Sequence, residues 1–504
     1  MQANVLQWLE KTAAAMPDKT AFCDEQGQLT YSQFRRKSLA LAREIIKKRG
    51  VGSGKVPVVV YLEKSAKVIV SFMGIAYSGG FYSPIDVDMP QARVDKILEV
   101  LDPQIVITTE ELKESFAKMQ YSGEYILYDK VEEEPGDETF VLPETEKIVD
   151  TDLLYVLFTS GSTGVPKGVS ITHRSVIDYI DWVTETFEVV PEDRFGNQAP
   201  FYFDNSILDI YSCIKTGATH YIIPKKLFFQ PVRLLEYLKE NEINTIFWVP
   251  SALIVVSKLR AFEEVDLSST LKRVLFCGEV MPNKQLNEWR KNLPNVLYAN
   301  LYGPTEITDA CTYYIVSREF SNDEPLPIGI PMKNTDILVL NDKDELVSGE
   351  EIGELCVRGT SLAVGYYNNP AKTKEAFVQN PLNTAYPETI YRTGDLVRYN
   401  EYGELLYLSR KDFQIKHLGH RIELGEIEVA VSSIPEVSLC CCLYDEKRQR
   451  IVLFLDAPLD KKEIKDRISS LVPEYMLPGK VVYMEEMPIN ANGKIDRVKL
   501  KEYL

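Results

Sequence analysis

The stretch Tyr155-Val156-Leu157-Phe158-Thr159-Ser160-Gly161-Ser162-Thr163-Gly164-Val165-Pro166-Lys167-Gly168-Val169 decides how this chain is read. It opens as an apolar run rich in aromatic and β-branched residues, which is strand character. It continues as a loop of Ser, Thr and Gly, closes on Pro-Lys-Gly, and resumes alternation at Val169-Ser170-Ile171-Thr172. Glycines let backbone N–H groups converge on one point, hydroxyls add donors, and a lysine adds a mobile positive charge. Thr159, Ser160, Gly161, Ser162, Thr163, Gly164 and Lys167 are therefore expected to form a socket for a polyphosphate. The bland alternative is a flexible Gly/Ser hairpin, but this order of residues is more specific than that. It is not a Walker A loop, because no G-x-x-x-x-G-K-[ST] is present.

A chain of 504 residues is too long for one core and predicts two or more domains. Hydrophobic residues at 45% and charged residues at 26% are ordinary for a soluble globular protein. A net charge of −17 argues against nucleic acid and against anionic membrane surfaces. The first residues lack the basic and apolar regions of a signal peptide, so cytoplasm is the expected compartment. The uncharged span from Val68 to Ile85 has the length of a membrane helix. Ser78-Gly79-Gly80 and Ser83-Pro84 interrupt it, so it reads as a buried helix, a turn and a strand, with no membrane insertion. The eight cysteines are scattered, without a C-x-x-C pair or a Cys/His cluster. Cys440-Cys441-Cys442 reads as part of a buried strand, where Cys acts as a small hydrophobe.

Strands and helices alternate from Val56 through Ile107, which predicts an α/β architecture with largely parallel sheets. The acidic run from Glu132 to Asp137 reads as a solvated loop, and His173 to Phe187 as a helix whose histidine caps or packs. Asp204 follows an aromatic stretch and precedes a helix, so it is either an N-cap or a counter-ion for a substrate ammonium group. Ile243 to Val249 and Val274 to Val280 read as two parallel strands. The strand from Tyr298 runs into the turn Tyr302-Gly303-Pro304-Thr305-Glu306. There Tyr302 offers a face for a base, Thr305 a hydroxyl, and Glu306 a carboxylate suited to Mg²⁺. A β-rich region spans Ile337 to Val357, with Gly353-Glu354-Leu355 at its turn. Asp395, after Gly394, suits a carboxylate that grips two ribose hydroxyls. Texture changes at Ser409-Arg410-Lys411-Asp412, which places a domain boundary at Asp412, between residues 1–411 and an α+β part at 412–504. Near the terminus, Asn492-Gly493-Lys494 presents one lysine from a glycine turn.

Taken in order, the phosphate loop, Phe203-Asp204, Tyr302 to Glu306, Tyr391 to Asp395 with Arg410 to Asp412, and Asn492-Gly493-Lys494 resemble the adenylate-forming superfamily over nearly the whole chain. Acyl-CoA synthetases, luciferases and amino-acid adenylation domains belong to it. The chain looks like a stand-alone amino-acid adenylation enzyme and is particularly similar to D-alanine–carrier protein ligases. That resemblance implies a large N-terminal domain of two α/β sheets and a distorted barrel, plus a small mobile C-terminal domain. It implies an acid–thiol ligase in which ATP and an amino acid give aminoacyl-AMP and pyrophosphate. A phosphopantetheine thiol on a separate carrier protein then takes the acyl group. By the same resemblance Lys494, Glu306 and Thr163 serve catalysis, Glu306 holds Mg²⁺, Asp395 and Arg410 bind the nucleotide with Tyr302, Gly303 and Thr305, and Asp412 is the hinge. Asp204, Asn205, Leu208, Phe247, Leu275, Cys277, Leu301, Asp309 and Ala310 line the amino-acid pocket.

The chain departs from the pattern at Ser409, where a glycine is usual, and at Gly425, where D-alanine ligases carry a carboxylate. D-Alanine is the leading substrate, since the pocket residues are mostly apolar; Asp309 either points to water or a neighbouring donor, or marks a substrate with a polar or cationic side chain. Two rivals share the fold: an acyl- or aryl-CoA synthetase, which Asp204 argues against, and a nucleotide-binding regulator without catalysis. A monomer is expected, with a local basic patch around Lys416 and Arg421 to receive an acidic carrier.

Overall fold

The computed structural model describes residues 2–50, 52, 55–161, 164–322, 324–412, 414–489 and 495–504. Among these residues, two large sheets form the bulk of the molecule. The first runs, in spatial order, Gly365–Tyr366, Lys167–Thr172, Leu153–Thr159, Phe81–Pro84, Pro57–Val60, Ile105–Thr108 and Glu124–Leu127. Its inner strands are parallel and buried on both faces, which explains their unbroken apolar sequences. The uncharged span becomes the helix Ala66–Tyr77, a glycine turn and the strand Phe81–Pro84. Among the described residues no helix is long and apolar enough to cross a membrane.

The second sheet places Arg194–Asn197, Thr245–Trp248, Arg273–Phe276 and Leu297–Tyr302 side by side in parallel. Their carboxyl ends lead into Asp204, Pro250, Cys277 and the turn after Tyr302, all at one edge. Ligands of open parallel sheets bind at that edge. The strand expected to reach Val280 ends at Phe276, because the chain turns at Gly278 with φ of 97°.

A smaller antiparallel sheet joins Thr335–Leu340, Gly353–Gly359, Thr389–Tyr399, Phe377–Gln379 and Leu405–Arg410, in the part expected to be a barrel. Gly353-Glu354-Leu355 opens a strand there instead of forming the turn, which lies before it. Beyond residue 412 come the hairpin Gln414–His417/His420–Glu423, the helix Leu424–Ser432 and a three-stranded sheet. These have their own apolar core, including Ile422, Ile427, Val431, Cys442, Leu453 and Ile464. All eight cysteines are buried and unbridged.

The acidic run is an exposed loop from Glu132 to Gly136, as expected, and only Asp137 at its end is buried. Arg36 pairs with Glu133 at 2.9 Å, Arg35 with Glu138 at 2.8 Å, and the buried Arg43 with Asp137, at the start of the helix Asp137–Thr145. Charge density predicted this solvation; the three arginines of the helix Tyr31–Arg49 that line its inner side are set by the fold.

His173 starts the helix His173–Thr186, is 1% exposed, and accepts the Val5 N–H at Nδ1. Burial pushes its pKa down to about 4 from 6.5. The unfolded chain therefore takes up this proton from pH 6.5 downward while the folded chain resists until about 4. Stability should fall across that window by on the order of 3 kcal/mol from this residue alone. His173→Asn should flatten the fall of the urea midpoint between pH 7 and 4.5; an unchanged slope would discount the residue.

Candidate functional site

The phosphate loop joins the antiparallel strands Leu153–Thr159 and Lys167–Thr172, with Thr159 opposite Lys167. Gly161 must be glycine, since a Cβ there would overlap the Val165 carbonyl oxygen. Gly164 has φ of 74°, and its carbonyl accepts from Lys96 Nζ at 2.7 Å. Thr159 Oγ1 is buried without a partner, the state of a donor awaiting a ligand. Ser162 and Thr163, both expected at the phosphates, lie outside the described residues, as does Lys494. Lys167, Arg410 and Arg421 line a cleft of about 370 Å³ beside Gly161 and Tyr366. Lys372 and Arg392 line it as well, so five cations stand against four carboxylates, Glu354, Glu375, Asp412 and Glu423, and the small surplus of positive charge suits a polyanion.

The turn Tyr302–Glu306 ties the site together. Gly303 packs so tightly on the chain returning at Asp309–Ala310 that a Cβ would lie 2.6 Å from Ala310 Cα. The Tyr302 hydroxyl donates to Asp395 Oδ2. Thr305 Oγ1 donates to Asp204 Oδ2 at 2.5 Å. Glu306 is fully buried, accepts from the Tyr366 hydroxyl at 2.7 Å, and pairs with Arg421 at 2.5 Å. Burial alone would raise its pKa, but Arg421 and Lys167 outweigh that and hold it at about 2. Thr308, just beyond, is a fully buried β-branched residue at φ of 82°, a conformation that persists only where its surroundings enforce it.

Asp395 is 3% exposed, and its other oxygen is 2.7 Å from Arg410 Nη1. The same guanidinium grips Asp412 at 2.6 Å and 2.7 Å. Arg410 thus bridges the expected ribose carboxylate and the expected hinge residue. Asp204 is half-buried and accepts the Asn205 N–H at 2.9 Å, at the start of the helix Asn205–Thr216. Burial raises its pKa, opposed by Thr305 and Lys416. The helix-capping reading of Asp204 is thus seen in the structure, and its second oxygen accepts from the turn. Leu208, Phe247, Leu275, Cys277, Leu301 and Ala310 belong to one apolar cluster and are at most 2% exposed. Asp309 is 1% exposed; its Oδ2 accepts from the Tyr179 hydroxyl at 2.7 Å.

The hairpin Gln414–His417/His420–Glu423 lies over these residues. Ser160 Oγ donates to the Arg421 carbonyl at 2.8 Å and accepts the Glu423 N–H at 3.1 Å. Lys167 Nζ is 3.4 Å from Glu423. The Gly419 N–H donates to Glu279 at 2.9 Å, and a Cβ on Gly419, whose φ is 79°, would press on Val249 at 2.9 Å. Behind the hairpin, Arg93 and Glu426 form an ion pair with side chains 4% and 5% exposed. Lys416 Nζ sits 5.4 Å above the Tyr302 ring, the face expected to meet a base.

Lys416 and Arg421 are therefore not an outward patch for a carrier. Both point inward, drawn by the carboxylates and rings of the site. Tyr179, Tyr366, Glu279 and Glu423 were not singled out in the sequence, because each comes from far along the chain and spacing carries no signal for them; Thr308, next to the turn, is marked only by its backbone angle.

Comparison with known proteins follows the same lines. A profile of the AMP-binding enzyme family matches residues 9–367, and one of the AMP-binding enzyme C-terminal domain matches residues 426–494. The chain belongs to the AMP-binding enzyme family. This AMP-binding enzyme is 33% identical over 514 residues to a protein of Bacillus licheniformis named D-alanine–D-alanyl carrier protein ligase, covering 99% of each. It is 32% identical over 504 residues to tyrocidine synthase 1 of Brevibacillus parabrevis, covering 99% of itself but 45% of that protein. The solved structure of holo-PA1221, an NRPS protein with adenylation and PCP domains bound to a vinylsulfonamide inhibitor, superposes with a TM-score of 0.84. It covers 100% of this chain and 84% of that one at 23% identity, which speaks to the fold alone. As a member of its family, the chain is an ATP-dependent acid–thiol ligase that works through an acyl-adenylate.

Proposed function

We propose that the chain activates a free amino acid as aminoacyl-AMP, releases pyrophosphate, and passes the acyl group to the phosphopantetheine thiol of a separate carrier protein in the cytoplasm. The observation that carries this reading is the turn Tyr302–Glu306. One short segment touches Asp395 through Tyr302, Asp204 through Thr305, and Arg421 through Glu306. A ribose recognised by Asp395 and an ammonium group recognised by Asp204 would be held at a fixed distance from one another, with Glu306 beside them once Arg421 has left it. Fixing two reactants in register supplies much of the barrier reduction in such a reaction.

In-line attack of a carboxylate on a phosphate sets anion against anion, so the site needs cations and oriented donors. Lys167 and Arg410 would meet the nucleotide, and Asp204 the α-ammonium group, which their positions in and beside the cleft support. Glu306 is buried, with its pKa held low by Arg421 and Lys167 against burial, and one carboxylate together with substrate phosphates is a common way to bind Mg²⁺. Among the described residues no cluster of three His, Cys, Asp or Glu would hold a metal unaided. Glu306 would hold the Mg²⁺ that accompanies ATP, and the ion when bound offsets phosphate charge. The boundary at Asp412, clamped by Arg410, is proposed as the hinge between residues 1–411 and 412–504. With the 414–423 hairpin over the site, this arrangement suits thiol transfer, and adenylation calls for another.

D-Alanine is the substrate that the relative's name supports, and the apolar walls suit it. Asp309 favours a second reading, a polar side chain. Amino-acid-dependent exchange of pyrophosphate into ATP, run over proteinogenic and D-amino acids, tests the function. Exchange with a free amino acid is expected; exchange with fatty or aryl acids only would assign the chain to the CoA synthetases.

A further inference from the structure

Asp309 carries a buried oxygen that the protein leaves alone. Its Oδ2 accepts from Tyr179, whereas Oδ1 is buried with no hydrogen-bond partner. Leu208, Cys277, Leu301 and Ala310, expected in the same pocket, are at most 2% exposed, and the other polar groups that act on Asp309 are Tyr155, Tyr179, Asp204, Asp209 and Lys416, none of which bonds Oδ1. Buried carboxyl oxygens are mostly satisfied in native proteins, so an orphan among the residues expected to line the amino-acid pocket points to a group that the substrate completes. A second orphan accompanies it: Asn205 Nδ2, on the residue after Asp204, is also buried without a partner.

Charge narrows the choice. Asp309 feels Asp204 as a neighbouring negative charge and Lys416 as a positive one. Burial, reinforced by Asp204, pushes its carboxyl well above the usual range. The α-ammonium group of the substrate balances Asp204, and Lys416 adds a further positive charge nearby. A second substrate cation is therefore not needed in this enclosure. An alanine methyl would leave both orphans unsatisfied. An ammonium group could donate to Oδ1 but accept nothing from Nδ2. A hydroxyl or a carboxamide does both.

We propose that the amino acid carries a neutral hydrogen-bonding side chain, a hydroxyl or a carboxamide, seated against Asp309 Oδ1 and Asn205 Nδ2. This rests on the amino-acid-ligase reading. The test is pyrophosphate exchange on the full chain with near-isosteric pairs in both enantiomers: threonine against valine, serine against alanine, asparagine against leucine. One polar member should exceed its apolar partner by roughly a hundredfold or more in kcat/KM, because a site built for a hydrogen bond rejects the analogue lacking it. Asp309→Leu should collapse or invert that ratio. If the variant does not fold, the ratio in the parent chain still decides. Alanine or valine as the best substrate would overturn the proposal and leave the ligase reading standing, as would lysine or ornithine. No exchange with any amino acid would overturn both.

Discussion

Arg421→Ala should leave pyrophosphate exchange close to that of the parent chain and slow transfer to a carrier thiol by roughly a hundredfold or more. The asymmetry follows from where the residue sits. Arg421 belongs to the hairpin beyond Asp412, and its partner Glu306 belongs to the large part of the chain. Glu306 is 0% exposed, so removing the guanidinium would strand a buried charge. Breaking such a pair costs about 3–5 kcal/mol. The chain need not unfold to escape that cost, because the hairpin can lift and let water reach Glu306. The expected loss is thus of the docked arrangement, and of the step that uses it. Adenylation is spared because Glu306 must release Arg421 before it can serve a metal ion. The pairing also fixes an acid limit. Glu306 sits at about 2 against an ordinary 4.5. Its contribution to docking is therefore complete above pH 4.5 and fades as pH falls toward 2. Arg421→Lys should restore part of the transfer, since charge survives while the geometry changes. Equal loss of exchange and transfer in Arg421→Ala would assign the residue to both steps and sink this division.

Most of the fold could be read from the sequence because its signals are local. Pro57–Val60 and Ile105–Thr108 are short apolar runs bounded by turns, and each is a buried parallel strand. The helix Tyr31–Arg49 ends at Gly50, the residue type that commonly follows the end of a helix. What escaped was set by distant partners. Nothing near Glu132 announces that arginines on another helix face it. Arg421 reads as a surface cation until Glu306, far back along the chain, is placed beside it. Gly278 ends its strand through a backbone angle that composition does not encode. In the site, the motif-bearing loops were legible, since each concentrates glycine and polar residues in one stretch. Tyr179 and Tyr366 were not, because a tyrosine in a helix or a short strand looks like core until its hydroxyl is seen on a carboxylate.

Lys494→Ala should cut adenylate formation by about a thousandfold and leave thiolysis of a supplied aminoacyl-adenylate near the parent rate. The first half-reaction needs a cation between the attacking carboxylate and the α-phosphate. Three cations of the described site already hold carboxylates: Lys167 faces Glu423, Arg410 bridges Asp395 and Asp412, and Arg421 sits on Glu306. Lys416 lies over the Tyr302 ring. Lys494 itself is outside the described residues, but its flanks are informative. Ile489 bridges Ile495, and Met487, Ile495 and Leu500 pack with Cys441, Leu443 and Phe454 on the small C-terminal sheet. The loop is thus anchored to the same rigid part as the hairpin that now covers the site. Rotation about Asp412 could exchange the two, bringing Lys494 in as Arg421 leaves. On that view Lys494→Ala and Arg421→Ala are opposites: one fails at exchange, the other at transfer. Mixing the two variant proteins should not restore turnover, because both elements ride on one chain and must act on the same adenylate. Normal exchange in Lys494→Ala would remove the lysine from the first step, and with it the need for the hairpin ever to leave.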